Sequence, residues 1–351
     1  MKIKFILFVA VAAIACACQK SLDTDQDVDQ RAESLKSMDV LSIDGIRCEN
    51  GCMHFPSASV CMDVLNSISS RDSLTAFEQK YNFTSLRSFN DRLIDELSEC
   101  ETPEEYESLW ETCTDYLKYE DDRVMPRVTS AAYAGIANID GVFYVGNVKH
   151  MVVDDVVIVE DLNNPTRSNS PRIIDYVVSC NMKDTRAGNE ISQRYTDQRY
   201  ETGSYKVFAR TNLLRHVAVD YKNGNEIYVS SFAVQVHVSG QKKKTLIGWN
   251  SYKDRFFVEN LHFDIVFDDG TGIKFGNYTN NYSFSEYGGD IYALQAVGDK
   301  AFAMPSEMPM PDSFKCIVHR ARSRSIGNCG AVTDINYCRG LREPAISACI
   351  E

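Results

Sequence analysis

Few residues in this 351-residue chain stand at spacings that suggest chemistry, and each has a plainer reading beside it. His262 and Asp264 lie two apart in a run that reads as a strand, so they share one face. With Glu259 or Asp290 they could hold a metal or move a proton. A solvated strand face explains them more simply. Cys329, in Gly327-Asn328-Cys329-Gly330, follows His319 by ten residues and could be a thiol nucleophile with its base. Cys338 follows nine residues later, and a disulfide across a hairpin is the favoured reading of that pair. Asp268 and Asp269 could ligate calcium, but their loop lacks the spaced oxygens of a calcium loop and reads as a turn. Cys48 and Cys52 are a tight pair without a second pair or a nearby His-x-x-x-His, so zinc is not expected. The sequence has no Gly-x-Ser-x-Gly, His-Glu-x-x-His or phosphate-binding glycine loop. No catalytic residue, metal site or cofactor is assigned, and the expectation leans away from an enzyme.

Binding chemistry has more to work with. Arg320, Arg322 and Arg324 alternate with small residues, which on a strand places three guanidinium groups on one face. Such a face suits sulfate, phosphate or acidic sugars. It equally suits a solvated edge or a seat for an acidic neighbour. Tyr278, Tyr282 and Trp249 lead a tyrosine-rich second half, and aromatic faces stack on sugar rings. Tyrosine is also an ordinary strand former, so core use competes with a sugar platform. Lys242, Lys243 and Lys244 read as a solvated hairpin tip. Asp72-Ser73-Leu74 resembles an O-glycosylation sequon of exported Bacteroides proteins.

These residues must be held somewhere, and the first twenty positions give the address. Lys2 and Lys4, an apolar run from Phe5 to Ile14 and small residues before Cys18 form a signal peptide over residues 1–17. The apolar run is too short to span a bilayer. Ala15-Cys16-Ala17-Cys18 resembles a bacterial lipobox, with Cys18 as the lipidated residue and Cys16 as the second candidate. Residues 18–40 are an acidic tether rich in Asp. The expected place is therefore the outer membrane, on the cell surface or the periplasmic face, with contact to the membrane through lipid alone. Of 12 cysteines, one leaves with the signal peptide and one takes lipid, so ten remain for disulfides.

The remaining chain divides by pattern and by charge. Residues 41–162 read as mostly helical with short strands, and residues 163–351 as an antiparallel β-sandwich domain, an α+β chain with its helical segment first. Val60, Val64, Leu65 and Ile68 fall at helix spacing, as do Leu74 and Phe77, then Phe89, Leu93 and Leu97. Thr102-Pro103-Glu104-Glu105 is a capping box ahead of Tyr106, Leu109, Trp110, Cys113 and Leu117. Cys100 precedes that helix and Cys113 lies in its third turn, so those two should not pair with each other; each could reach Cys61 or a residue elsewhere. Beyond 163, strand-like runs follow at 173–180, 205–211, 214–221, 226–238, 244–249, 256–267, 272–278, 290–297 and 314–322. Asn223-Gly224 predicts a tight hairpin, and Asp268 to Gly272 and Gly240 to Lys242 predict two more turns. Residues 18–162 carry 29 acidic and 12 basic side chains, against 20 and 23 in residues 163–351. The net charge of -12 excludes general nucleic-acid binding.

The order of these features resembles a family of uncharacterised Bacteroides-type lipoproteins, a domain of unknown function. The residues that carry the resemblance are the lipobox, the tether, Asp39 to Gly45, Leu86-Arg87-Ser88-Phe89, Trp110, Asn138 to Gly141 with Val145-Gly146, and Gly248-Trp249-Asn250. The resemblance implies an envelope location and no particular activity. The expected role is a non-enzymatic binding protein whose partner is a glycan or an envelope protein. An envelope hydrolase, or an accessory subunit of a surface assembly, is the alternative.

Overall fold

Strands dominate a mixed α+β architecture. A computed structural model describes residues 44–120, 123–162, 171–176, 183–184, 189–190, 195–268, 274–288, 290–302, 311–325 and 331–338, some of the later strands by backbone alone. Residues 1–17, the tether, Cys18, Cys180, Cys329 and most of the 163–171 connector lie outside the described residues.

The first sheet has six strands in the order β1-β2-β5-β6-β7-β8. These are β1 (Arg47–Glu49), β2 (Cys52–Phe55), β5 (Val142–Val145), β6 (Val148–Val153), β7 (Val156–Asp161) and β8 (Arg172–Tyr176). Asn50 and Gly51 both have positive φ, 51° and 75°, and turn β1 into β2 as a two-residue hairpin. β2 runs parallel to β5, and such a pair needs a long crossover. The crossover holds helices α1 (Ala58–Ser67), α2 (Arg71–Tyr81), α3 (Leu86–Glu99), α4 (Pro103–Cys113) and α5 (Ala131–Ile136). It also holds the small hairpin β3 (Leu117–Glu120) and β4 (Arg123–Pro126). The first sheet continues past residue 163, because β7 pairs with β8.

Side-chain oxygens start the helices: Ser57, Ser70, Ser85, Thr102 and Ser130 each accept a first-turn N–H. The capping box at Thr102 and Glu105 forms as the sequence predicts. The predicted stripe of α4 is only partly buried. Cys113 is its one buried residue, and Leu117 has already left the helix for β3.

After two short strands, β9 (Lys183–Asp184) and β10 (Asn189–Glu190), the chain builds two larger sheets. The first contains β11 (Tyr195–Thr202), β12 (Tyr205–Lys222), β13 (Asn225–Lys244), β14 (Gly248–Ser251) and β17 (Asp290–Phe302). The second orders β16 (Lys274–Gly288), β15 (Asp254–Asp268), β18 (Pro311–Ser323) and β19 (Ala331–Cys338). The hairpin at Asn223-Gly224 is as predicted, with φ of 54° and 79° between paired Lys222 and Asn225.

Two expected features of this region are corrected. The runs 205–211 and 214–221 are one 18-residue strand, β12. Gly240 is no turn; it pairs with Val207 inside β13. A Cβ there would come within 2.4 Å of Tyr252 and 2.8 Å of Phe256, so glycine admits two rings against the strand.

β12 and β13 are buried on both faces over most of their length. One face carries Val207, Leu213, Val217, Val219, Val234, Val236 and Val238. The other carries Arg210, Asn212, His216, Gln235 and His237, and it receives the helices. Gln235 accepts from Ala131 N at 2.9 Å and donates to Thr129 O at 2.8 Å. Ser231 donates to Asn66 at 2.9 Å. Asp220 takes the first N–H of α1, from Ala58, at 2.9 Å, a carboxylate on a helix N-terminus.

β11 pairs with β12 only as far as Asn212. Beyond it, side chains satisfy the open edge of β12. Tyr133 OH donates to Val217 O and accepts from Val217 N, and His150 Nε2 accepts from Val219 N at 3.1 Å.

Candidate functional site

Helix α3 carries a row of charged residues. Its buried stripe is Leu86, Asn90, Leu93, Ile94 and Leu97. Arg87, Asp91, Asp95 and Glu99 recur every four residues beside that stripe, so their charged ends line up along the helix. A groove of about 350 Å³ opens over Asp91, Asp95 and Glu99 of this row and over Arg71 of α2. Lys253, on the link between β14 and β15, closes one end.

Buried ion pairs hold the groove. Arg71 reaches Asp91 at 2.8 Å and Glu286 of β16 at 3.6 Å, and it donates to Tyr287 O at 3.2 Å. Gly288 makes room for this, since a Cβ there would meet the Arg71 guanidinium at 2.8 Å. Arg87 pairs with the other oxygen of Asp91 at 3.0 Å, and its guanidinium lies 4.4 Å from the ring centre of Tyr292. Lys253 bridges Asp95 at 3.2 Å and Glu99 at 3.1 Å. Helices α2 and α3 are thereby tied to β16 and β17 by charge.

Glu286 is the perturbed group of this cluster. Burial pushes its carboxyl up to about 7, against the pull of Arg71 and Arg87 and with a push from Asp91 and Asp72. A carboxyl that changes charge near neutrality, beside a charged cleft, marks a candidate functional site. The hydroxyls in the groove are committed locally: Ser88 donates to Glu78 at 2.8 Å and Thr75 to Arg71 O at 2.9 Å. The groove therefore offers ionic and hydrogen-bonding recognition.

One pair imitates a nucleophile and its base. Ser130 Oγ lies 2.8 Å from His216 Nε2. Both residues are fully buried, and Ser130 also caps α5 by accepting from Tyr133 N. Burial pushes His216 down to about 3. The pair is a buried contact between the start of α5 and β12, closed to solvent. Among the described residues, no group of three or more His, Cys, Asp or Glu is placed to hold a metal ion.

The residues singled out in the sequence are scattered. Trp249 lies half-buried on β14, with the Lys206 ammonium 4.1 Å from its ring centre. Tyr278 and Tyr282 lie on β16, in the other large sheet, opposite Ile265 and Leu261. Arg320 and Arg322 lie on β18 opposite Glu259 and Phe257, whereas Arg324 falls just past the end of that strand, exposed. The three arginines therefore do not share one strand. His262 and Asp264 sit two apart on β15, but Asp290 begins β17 in the other sheet.

Lys244 is no solvated tip. It donates to Ser98 O at 3.0 Å and Cys100 O at 2.7 Å, closing the C-terminus of α3. Ser73 is 9% exposed, and its hydroxyl is engaged with Ser70 in the capping box of α2, so the sequon there is closed by structure. Cys48, Cys52, Cys61, Cys100 and Cys113 are free thiols, which removes them from the expected disulfide set. Burial pushes all five thiols up. The sequence reading missed the groove, although Arg87, Asp91, Asp95 and Glu99 at spacing four were its visible signal.

No family model matches the chain, and no curated protein matches it. Among solved structures, the chain has a weak likeness to a protein of a family of unknown function (DUF4848) from Bacteroides thetaiotaomicron. Identity is 13%, coverage 83% of this chain and 99% of that one, and the TM-score 0.26. A Northeast Structural Genomics Consortium target is 10% identical over 40% of this chain and 91% of its own, with a TM-score of 0.15. At those scores neither likeness carries an argument about fold or role. Among the described residues, no helix is long and apolar enough to cross a membrane.

Proposed function

We propose that this chain is a lipoprotein, anchored at Cys18 in an outer membrane, that binds a polar extracellular ligand, with a glycan as the first candidate. The observation that carries the reading is the open groove between α2, α3 and Lys253. It is lined by charges of both signs and held by ion pairs among α2, α3 and β16. Rigid, pre-paired carboxylates and guanidiniums suit hydroxyl-rich ligands, which accept and donate at once. The two large sheets are read as a sandwich, supported by Tyr252 and Phe256 against Gly240. Tyr278, Tyr282, Trp249, Arg320, Arg322 and Arg324 remain candidate contacts for a ligand on the β-strands.

The test is a glycan array probed with the full chain in detergent, with Arg71→Ala and the pair Tyr278→Ala and Tyr282→Ala alongside. Binding lost in Arg71→Ala supports the groove. Binding lost only in the tyrosine variants moves the ligand to β16. Flat binding across host and microbial glycans overturns the reading. The anchor is tested separately: a Cys18→Ser chain is expected to leave the detergent phase, and one that stays there rejects lipidation at that residue.

A further inference from the structure

Helix α4 and strand β3 present an aromatic face that the fold leaves partly uncovered. Tyr106 and Trp110 stand one turn apart on α4 and are half-buried against α3. Tyr119 of β3 lies across Trp110, with ring centres 4.4 Å apart and planes at 54°, and it is 54% exposed. The hydroxyls of Tyr106 and Tyr119 are hydrogen-bonded to each other. Two large rings are thus fixed at an angle, with the outer ring open to solvent.

The rim of this face is acidic. From Cys100 to Leu117 the sequence holds six acids and no Lys, Arg or His. Glu105 is used in the capping box and Glu101 pairs with Lys244. Glu104, Glu107, Glu111 and Asp115 are exposed and make no ion pair among the described residues. The nearby bases are engaged elsewhere. Lys118 pairs with Glu120 at 3.1 Å, Arg92 stands over Phe89, and Arg127 donates to Thr114 O.

We propose that this face docks a basic segment of a partner protein, with an Arg or Lys side chain over Tyr119 and further cations on Glu107, Glu111 and Asp115. Charge decides among occupants. A cation gains both from the ring and from the carboxylates. A neutral sugar gains only from the ring and leaves four carboxylates unmatched. A second copy in two-fold register would set acid against acid. The face lies apart from the Arg71 groove, so the proposal stands whether or not that groove binds a glycan.

The probe is a fluorescent eight-residue peptide of alternating Arg and Gly, titrated into the full chain in detergent by anisotropy. Saturable binding is expected, about fivefold weaker in Tyr119→Ala and retained in Tyr119→Phe. Glu107→Gln with Glu111→Gln is expected to weaken it further and to reduce its salt dependence. Leu162→Ala removes a side chain that is 54% exposed outside this face and is expected to change nothing. Far-UV circular dichroism verifies that each variant is folded. Equal affinity in Tyr119→Ala and the unmodified chain overturns the proposal. So does a neutral chito-oligosaccharide that binds in a Tyr119-dependent way while the peptide does not.

Discussion

Replacing Glu286 by Gln tests the charged cluster directly. The side chain is 17% exposed, and burial raises its carboxyl to about 7 from an ordinary 4.5. The folded state therefore holds a proton that the unfolded state has lost between those two values. Stability falls as pH rises through that window, and above it the buried carboxylate costs about 3 kcal/mol, at 1.36 kcal/mol per pH unit. Gln keeps the shape and carries no such term. The variant should gain on the native chain by about 3 kcal/mol between pH 4 and pH 8. Urea denaturation followed by tryptophan fluorescence at pH 4, 5, 6, 7 and 8 reads this as a growing difference in midpoint. The opposite trend, a variant that loses ground as pH rises, would mean that Arg71 at 3.6 Å outweighs burial, and the reasoning would fail.

Acid should weaken the fold through its histidines. His150 and His216 are fully buried, with values pushed down to about 4 and about 3, so the unfolded state gains protons first as pH drops below 6.5. Each contributes about 3 kcal/mol of loss by pH 4, offset in part by Glu286, and a stability curve flat from pH 6.5 to 4 in Glu286→Gln would exclude this. Gly240→Val should cost about 3 kcal/mol or prevent folding, because Tyr252 and Phe256 fill the Cβ position; an unchanged melting temperature would refute that packing. Lys244→Met should cost about 1–2 kcal/mol by uncapping α3, whereas Lys243→Met should cost little, as thermal melts of the two would show. Native-state thiol labelling should modify Cys48, Cys52 and Cys100 and spare Cys61 and Cys113 until the protein unfolds; prompt labelling of Cys61 would contradict its burial.

Periodicity made the helices legible. Val64, Leu65, Ile68, Leu74, Phe77, Leu93 and Leu97 are buried, and Val60 is half-buried, because an amphipathic helix writes its packing face into spacing. Asn223-Gly224 was legible because two successive positive φ values leave few residue choices. Asn50-Gly51 carried the same signal and was passed over beside the cysteines. Gly240 and Lys244 misled, because glycine and lysine also serve inside strands: one as room for rings, the other as a cap for a distant helix; Lys242 and Lys243 are exposed beside the turn, as read. The charged cluster was hidden for another reason. Arg71, Asp91 and Glu286 are brought together by tertiary packing across 215 positions of chain, and no local pattern encodes that.

The two faces of β12 and β13 explain why the cluster sits where it does. The valine-rich face is mostly apolar, with Thr211 and Arg215 buried among the valines. The other face is polar, and two of its residues bond to the segment that holds the helices: Arg210 donates to Glu120 at 3.0 Å, and Gln235 bonds to Ala131 N and Thr129 O. Arg87 and Asn90 from α3, Ser130 from α5 and Arg123 from β4 are all buried polar residues on that side. Where polar groups are matched across this interface, the pair loses most when one partner is removed. The groove forms where this polar seam reaches solvent, at Arg71 and Asp91, with Glu286 behind Arg71. Its charges are continuous with the contacts that join helices to strands, so a proton taken up at Glu286 acts on that join as well.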